Sequence, residues 1–472
     1  MSGVSGTENR ARRGWLLGGS LVGCLALGGT LMLLPPERPE GPRPASGPAA
    51  AHARAAVTGG VPAALGDLAA LIDDRQASLR QHPRDARAWA VLGAAYVEQG
   101  RRTGDAAAHF PKAEEALRTS LEVRPRGNVA ALEGLAALAN ARHDFRAGRR
   151  WARAAASAAD DDRWTSYALL VDACSGLGDH AGAGRALERM LELDASPAAR
   201  ARAAGVYRDQ GRREDAAAAL ADAAAGARAP AERAAWLERA GRLAWERGDR
   251  EGALRYFREA VRVDPDQRAA QAGQGRALAA LGRTSEALSV YRIALAKQPL
   301  PRYALELGEL YESLGLDHAA RVQYDLLRER VRNAAAGGVR EDLVLGRFEA
   351  DHGGRQGARA AVRRLRGEWR RRPSPAVADA LGWALHRTGA HREALRFAAR
   401  ATDPEHGGGV RPAAYAYHRG MIEKALGRQA PARRHLREAL RTNPYFSPLA
   451  VPLARKALAE LGEVPVDEDV PE

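Results

Sequence analysis

Apolar and small positions recur along this chain with the spacing of helices. Leu65, Leu68, Leu71, Ile72 and Leu79 lie on one face of a helix predicted from about Ala63 to His82, and Pro83 ends it. A longer period sits on top of the helical one. Gly248, Ala253, Phe257, Ala260 and Pro265 are followed, each 34 residues later, by Gly282, Ala287, Tyr291, Ala294 and Pro299. Ala, Leu and Arg dominate, and these favour helix, while the β-branched strand formers are sparse. The pattern predicts pairs of helices repeated along the chain.

The marks extend in both directions from Trp245–Pro299. Trp89, Leu92, Gly93 and Tyr96 open one unit, and Ala113, Leu117, Ser120 and Pro125 close it. About eight extra residues lie between its helices, around Arg101 to His109, and are expected as a surface loop. Weaker copies follow at Ala147–Trp151–Ala154, at Gly178–Ala183–Leu187–Met190, and at Gly211–Ala216–Leu220–Ala223. Beyond Pro299 come units marked by Gly308, Tyr311 and Tyr324, by Gly346 and Leu365, by Leu381 and Gly382, and by Gly420, Leu436 and Pro444.

The period and its small–aromatic–small–Pro marks resemble the tetratricopeptide repeat. The resemblance implies an all-α, right-handed superhelical α-solenoid of about ten helical hairpins over residues 85–445, within an array spanning 63–461. In such proteins the first helix of each hairpin lines a concave groove that binds a protein or peptide. Carried onto this sequence, the groove shows Arg242, Trp245, Arg276, Glu309, Glu312, Trp383, His386, Arg387, Tyr417, Met421 and Lys424. Two readings of Trp383 stand side by side: a solvent-facing anchor flanked by Arg387, or a side chain packed on a neighbouring hairpin. For Trp245 the reading as a filler between repeats is favoured. The family's carboxylate-gripping set of Lys, Asn and Arg is not recognisable here.

The formal charge is +14, and the basic residues are almost all arginine, densest at Arg363–Arg366 and Arg370–Arg372. Acids are interleaved with them, so solvated helix faces are favoured over a nucleic-acid surface. The rival reading is an arginine-rich binder of nucleic acid or an anionic surface. Cys174, on a predicted helix, reads as a small core residue, and a disulfide with Cys24 is not expected.

Residues 14–34 are 21 consecutive uncharged positions, preceded by Arg10, Arg12 and Arg13. That length spans a bilayer as a helix, with residues 1–13 in the cytoplasm and the remainder outside the cell membrane. Leu21-Val22-Gly23-Cys24 also resembles a lipobox with Cys24 as the lipidated residue, although the following residues stay apolar. Small residues at Gly14/Gly18 and Gly19/Gly23 have the spacing that packs two such helices into a homodimer. Residues 35–62, rich in Pro, Ala and Gly, are expected as an extended tether, and 462–472 as a disordered acidic tail.

No His-Glu-x-x-His, Walker loop or Gly-x-Ser-x-Gly occurs, and no cofactor or metal is expected. His386 and His391, five apart, do not share a helix face. Asp160–Asp162 reads as a helix-start charge cluster. The reading that follows is a non-enzymatic, membrane-anchored scaffold.

Overall fold

The computed structural model describes residues 47–159, 163–403, 409 and 412–462. The candidate membrane segment 14–34 with Cys24, the Asp160–Asp162 run and residues 463–472 lie outside the described residues. Among the described residues no helix is long and apolar enough to cross a membrane.

The described chain is helical from end to end, with no strand among the described residues. A leading hairpin, α1 (Pro48–Thr58) and α2 (Leu65–Gln81), is followed by ten more. Hairpins one to five pair α3 (Ala86–Thr103) with α4 (Ala106–Val123), α5 (Val129–Ala141) with α6 (Phe145–Ala158), α7 (Trp164–Leu177) with α8 (His180–Leu193), α9 (Pro197–Asp209) with α10 (Arg213–Gly226), and α11 (Pro230–Glu246) with α12 (Arg250–Val263). Hairpins six to ten pair α13 (Arg268–Ala280) with α14 (Thr284–Lys297), α15 (Pro301–Ser313) with α16 (Asp317–Ala336), α17 (Asp342–His352) with α18 (Gly354–Arg371), α19 (Pro375–Arg387) with α20 (His391–Thr402), and α21 (Ala413–Ala425) with α22 (Gln429–Thr442). A single helix, α23 (Ala450–Glu460), closes the stack.

The period follows from how the hairpins pack. Phe257 on α12 is fully buried between two glycines, Gly241 of its own hairpin and Gly273 of the next. A Cβ at either position would come within 2.6 Å and 2.5 Å of the ring. Leu117 fills the same gap between Gly93 and Gly134, and Tyr291 and Tyr324 press on Gly275 and Gly308. Phe257 and Leu117 therefore each need glycine on two first helices, and stacking buries what one hairpin cannot.

Two expectations are corrected. The tether does not run through to residue 62, because α1 forms within it and packs on α2. Pro48 sits in the first turn, where its missing N–H costs nothing, and an alanine-rich run follows with no proline until Pro62. The extra residues around Arg101–His109 do not form a loop either. They lengthen α3 and α4 to 18 residues each, against 13 and 14 in α13 and α14, and the turn stays short. Gly104 takes φ 71° to end α3, and the Asp105 carboxylate accepts from Ala108 N at 3.1 Å to start α4.

The array winds back onto itself. The tips of hairpins one to five, meaning the turns joining their two helices, dock on the connections that follow hairpins six to ten. Gln298 Nε2 donates to Arg101 O at 2.8 Å. Arg142 Nε donates to Gly337 O at 2.9 Å, and Arg340 N to Arg142 O at 3.2 Å. Gly178 lies against Ser374, where a Cβ would come within 2.8 Å of its Cα. Gly409 N donates to Asp209 O at 2.6 Å, and Asn443 Nδ2 to Trp245 O at 2.7 Å. These contacts at five tips form one continuous seam between successive turns of the superhelix.

Candidate functional site

Charged side chains on the first helices pair from one hairpin to the next. Arg202 on α9 pairs with Asp172 on α7 at 2.8 Å. Arg276 on α13 grips both oxygens of Glu306 on α15 at 2.9 and 3.1 Å, and Tyr291 Oη donates to the same carboxylate at 3.0 Å. Glu238 on α11 lies within electrostatic reach of Arg239, Arg276 and Arg302. Arg239 is the unusual member. It donates to Ala201 O at 3.2 Å and lies over Trp236, but no carboxylate among the described residues pairs with it. Burial and the neighbouring guanidiniums of Arg202 and Arg242 hold it down to about 10.

The sequence-predicted groove residues fall into separate groups. Arg242 is half exposed and reaches Glu238 at 3.5 Å. Trp245 is buried in the central core, with the Arg276 guanidinium 5.8 Å from its ring centre. Glu309 and Glu312 hold His352 from both sides, at 3.4 and 3.1 Å, and Tyr324 Oη donates to Glu312 at 2.6 Å. Burial pushes the Glu309 carboxyl up. Burial opposes the charge on His352, but its two carboxylates prevail and raise its pKa.

Trp383, His386, Arg387 and Tyr417 do come together. Of the two readings of Trp383, the packed one is observed: it is 7% exposed and its indole N–H donates to Asp351 Oδ1 at 2.6 Å. His386 and His418 stack on it at 5.0 and 4.4 Å, and Arg387 lies 6.0 Å from its centre. His386 and His391 share no helix, yet the turn between α19 and α20 brings their Nδ1 atoms within 3.1 Å. Burial, then the charges of His391, His418 and Arg387, lower His386 to about 4. Burial pushes Tyr417 up to about 12. Met421 packs on the C-terminal core, and Lys424 pairs with Glu460 at 2.5 Å.

Sequence reasoning missed His352, His418, Asp351 and Asp379, whose Oδ1 meets His418 Nδ1 at 2.8 Å, and missed the seam entirely. One signal was present: His143 stands where the other tips carry glycine. Four of the six arginines in the dense stretch pair with carboxylates within the fold. Arg364 bonds Glu349 and Asp342, Arg366 bonds Glu393, and Arg371 and Arg372 converge on Glu368. Cys174 is buried, and burial raises its thiol pKa. Among the described residues no group of His, Cys, Asp and Glu could hold a metal ion.

The tetratricopeptide-repeat family model matches residues 238–300 and 275–334, the most regular part of the period, and supports that assignment of the repeat. No curated protein matches the chain. Among solved structures, MamA is 20% identical over 35% of this chain and 96% of its own, with a TM-score of 0.29. A human IFIT1 dimer with PPP-AAAA is 17% identical over 67% of this chain and 72% of its own, with a TM-score of 0.45.

Proposed function

We propose that this chain is a non-catalytic scaffold whose first-helix lining binds a protein partner, and that residues 14–34 hold it in the cell membrane with the repeats outside. The repeat itself suggests protein–protein interaction. The observation that carries the binding reading is Arg239. It is a half-buried cation that no carboxylate among the described residues pairs with, flanked by Arg202 and Arg242, whereas Arg202, Arg242 and Arg276 each pair with a carboxylate. An acidic segment of a partner supplies the missing charge.

The experiment is capture from solubilised membranes with the full chain and with Arg239→Gln and Arg242→Glu, each checked for unchanged thermal unfolding. Loss of the co-purifying protein supports the reading, and undiminished recovery contradicts it. Binding that collapses between low and moderate salt and is competed by single-stranded nucleic acid identifies the rival, a nucleic-acid binder. For the anchor, protease added to intact cells digests the array, while an array that survives beside a degraded external marker reverses the topology.

A further inference from the structure

The turn between α1 and α2 breaks the register of the seam. α1 ends in a Schellman motif: Val61 N donates to Ala56 O at 3.0 Å, Gly60 N donates to Val57 O at 3.4 Å, and Gly60 takes φ 64°. The five tips of the seam each dock on the connection five hairpins further on. By that step the tip of the leading hairpin would meet residues 264–267, after hairpin five. Asp264 pairs instead with Arg102, from the tip of hairpin one, at 2.6 Å. The Gly60 carbonyl accepts from Arg202 Nη2 on α9 at 3.1 Å. Val57, Ala63 and Leu65 on either side belong to the N-terminal core, whereas Val61 packs on the central core, which contains Ala198, Ala201 and Trp236.

These contacts put the turn beside Arg239. Arg239 donates to the carbonyl of Ala201, the residue before Arg202, and lies over Trp236. Both terminal nitrogens of Arg202 are in use: Nη1 donates to Asp172 Oδ2 at 2.8 Å, and Nη2 donates to the Gly60 carbonyl. That carbonyl is a neutral acceptor, and a carboxylate in its place would form the stronger, charge-assisted bond. The turn is held on α9 by this hydrogen bond and by one half-buried valine, a weak attachment that a charged acceptor can replace.

We propose that the Gly59–Pro62 turn is a built-in stopper on the arginine site, holding Arg202 until an acidic segment of a partner displaces it and bonds Arg202 and Arg239 together. This rests on the reading of Arg239 as the place where such a segment binds. The displacement is an exchange of acceptors at Arg202 Nη2, the Gly60 carbonyl for a carboxylate, while Asp172 keeps Nη1. The affinity for the partner is then reduced by the fraction of molecules in which the turn is seated.

The test titrates the full chain in detergent with a synthetic octaglutamate peptide by calorimetry. Val61→Ala and Val61→Thr loosen the turn without touching an arginine, and each is checked for unchanged thermal unfolding. Val61→Thr keeps the side-chain shape and serves alone if Val61→Ala unfolds early. The Val61 variants should bind the peptide about tenfold more tightly than the wild type, the gain expected when the turn is seated in about nine molecules of ten. Arg239→Gln should lose binding. If Arg239→Gln loses binding while the Val61 variants bind no more tightly than the wild type, the stopper is overturned and the arginine site stands. If the peptide binds none of the proteins, or binds Arg239→Gln undiminished, the reading of Arg239 falls and the stopper falls with it.

Discussion

The imidazole of His143 meets the main-chain carbonyl of Arg340 at 2.9 Å, joining residues 197 positions apart in the chain. His143 is also the one non-glycine among the described residues with positive φ, at 60°. A side chain there costs about 1 kcal/mol or more relative to glycine. The ring offsets that cost only while the seam is closed. His143→Ala keeps the strain and loses the contact, so it should destabilise by about 1–2 kcal/mol. His143→Gly loses the contact but relieves the strain and should be near neutral. Urea unfolding of the two variants separates the terms.

Asn443 is 2% exposed, donates to Trp245 O and accepts from Tyr445 N at 2.8 Å. Asn443→Ala leaves a buried carbonyl and a buried N–H without partners, at about 2–3 kcal/mol. Because the array is stabilised by nearest neighbours, the loss should appear first as faster proteolysis near residues 443–450.

Phe257 sits where three first and second helices meet, so Phe257→Ala should cost about 3–5 kcal/mol. Gly273→Val should be comparably damaging, since the new side chain overlaps the ring. Thermal unfolding measures both, and a tolerated Gly273→Val would mean that the hairpins do not stack as described.

Acid should loosen the C-terminal hairpins. His386 has a folded pKa of about 4, below its ordinary 6.5. Above 6.5 it is neutral in both states; between 6.5 and 4 only the unfolded chain takes the proton, so stability falls as pH falls. Glu423 acts in the same direction. Burial opposes its charge, but the hydrogen bond from His435 lowers its pKa, and that support is lost as pH falls through the folded value. The combined loss should be about 2–3 kcal/mol between neutral pH and pH 4. His386→Gln should flatten the profile, as read from urea midpoints at several pH values.

The hairpins were legible in the sequence because their packing rule is local. Gly241, Phe257 and Gly273 lie within one period, so the spacing records the contact directly. The seam was not legible. Arg102 meets Asp264, and Trp245 meets Asn443, at separations set by the accumulated rotation of five or six hairpins. That rotation leaves no periodic mark. The groove residues were only partly legible for a related reason. Position on a first helix points a side chain inward, but whether Trp383 meets solvent or Asp351 depends on the preceding hairpin. The insertion at Arg101–His109 was misread because length alone does not separate a loop from two extra helical turns; Gly104 and Asp105 place the turn.

The claim on which the fold rests is that successive turns of the superhelix are docked. A pulsed dipolar measurement tests it most directly, with spin labels at Arg150→Cys and Ala336→Cys, exposed positions near the His143–Arg340 contact, and Cys24 and Cys174 replaced by serine and alanine. A single narrow distribution at short distance is the predicted result. A broad distribution at long distance would show that the turns are apart and would contradict the account.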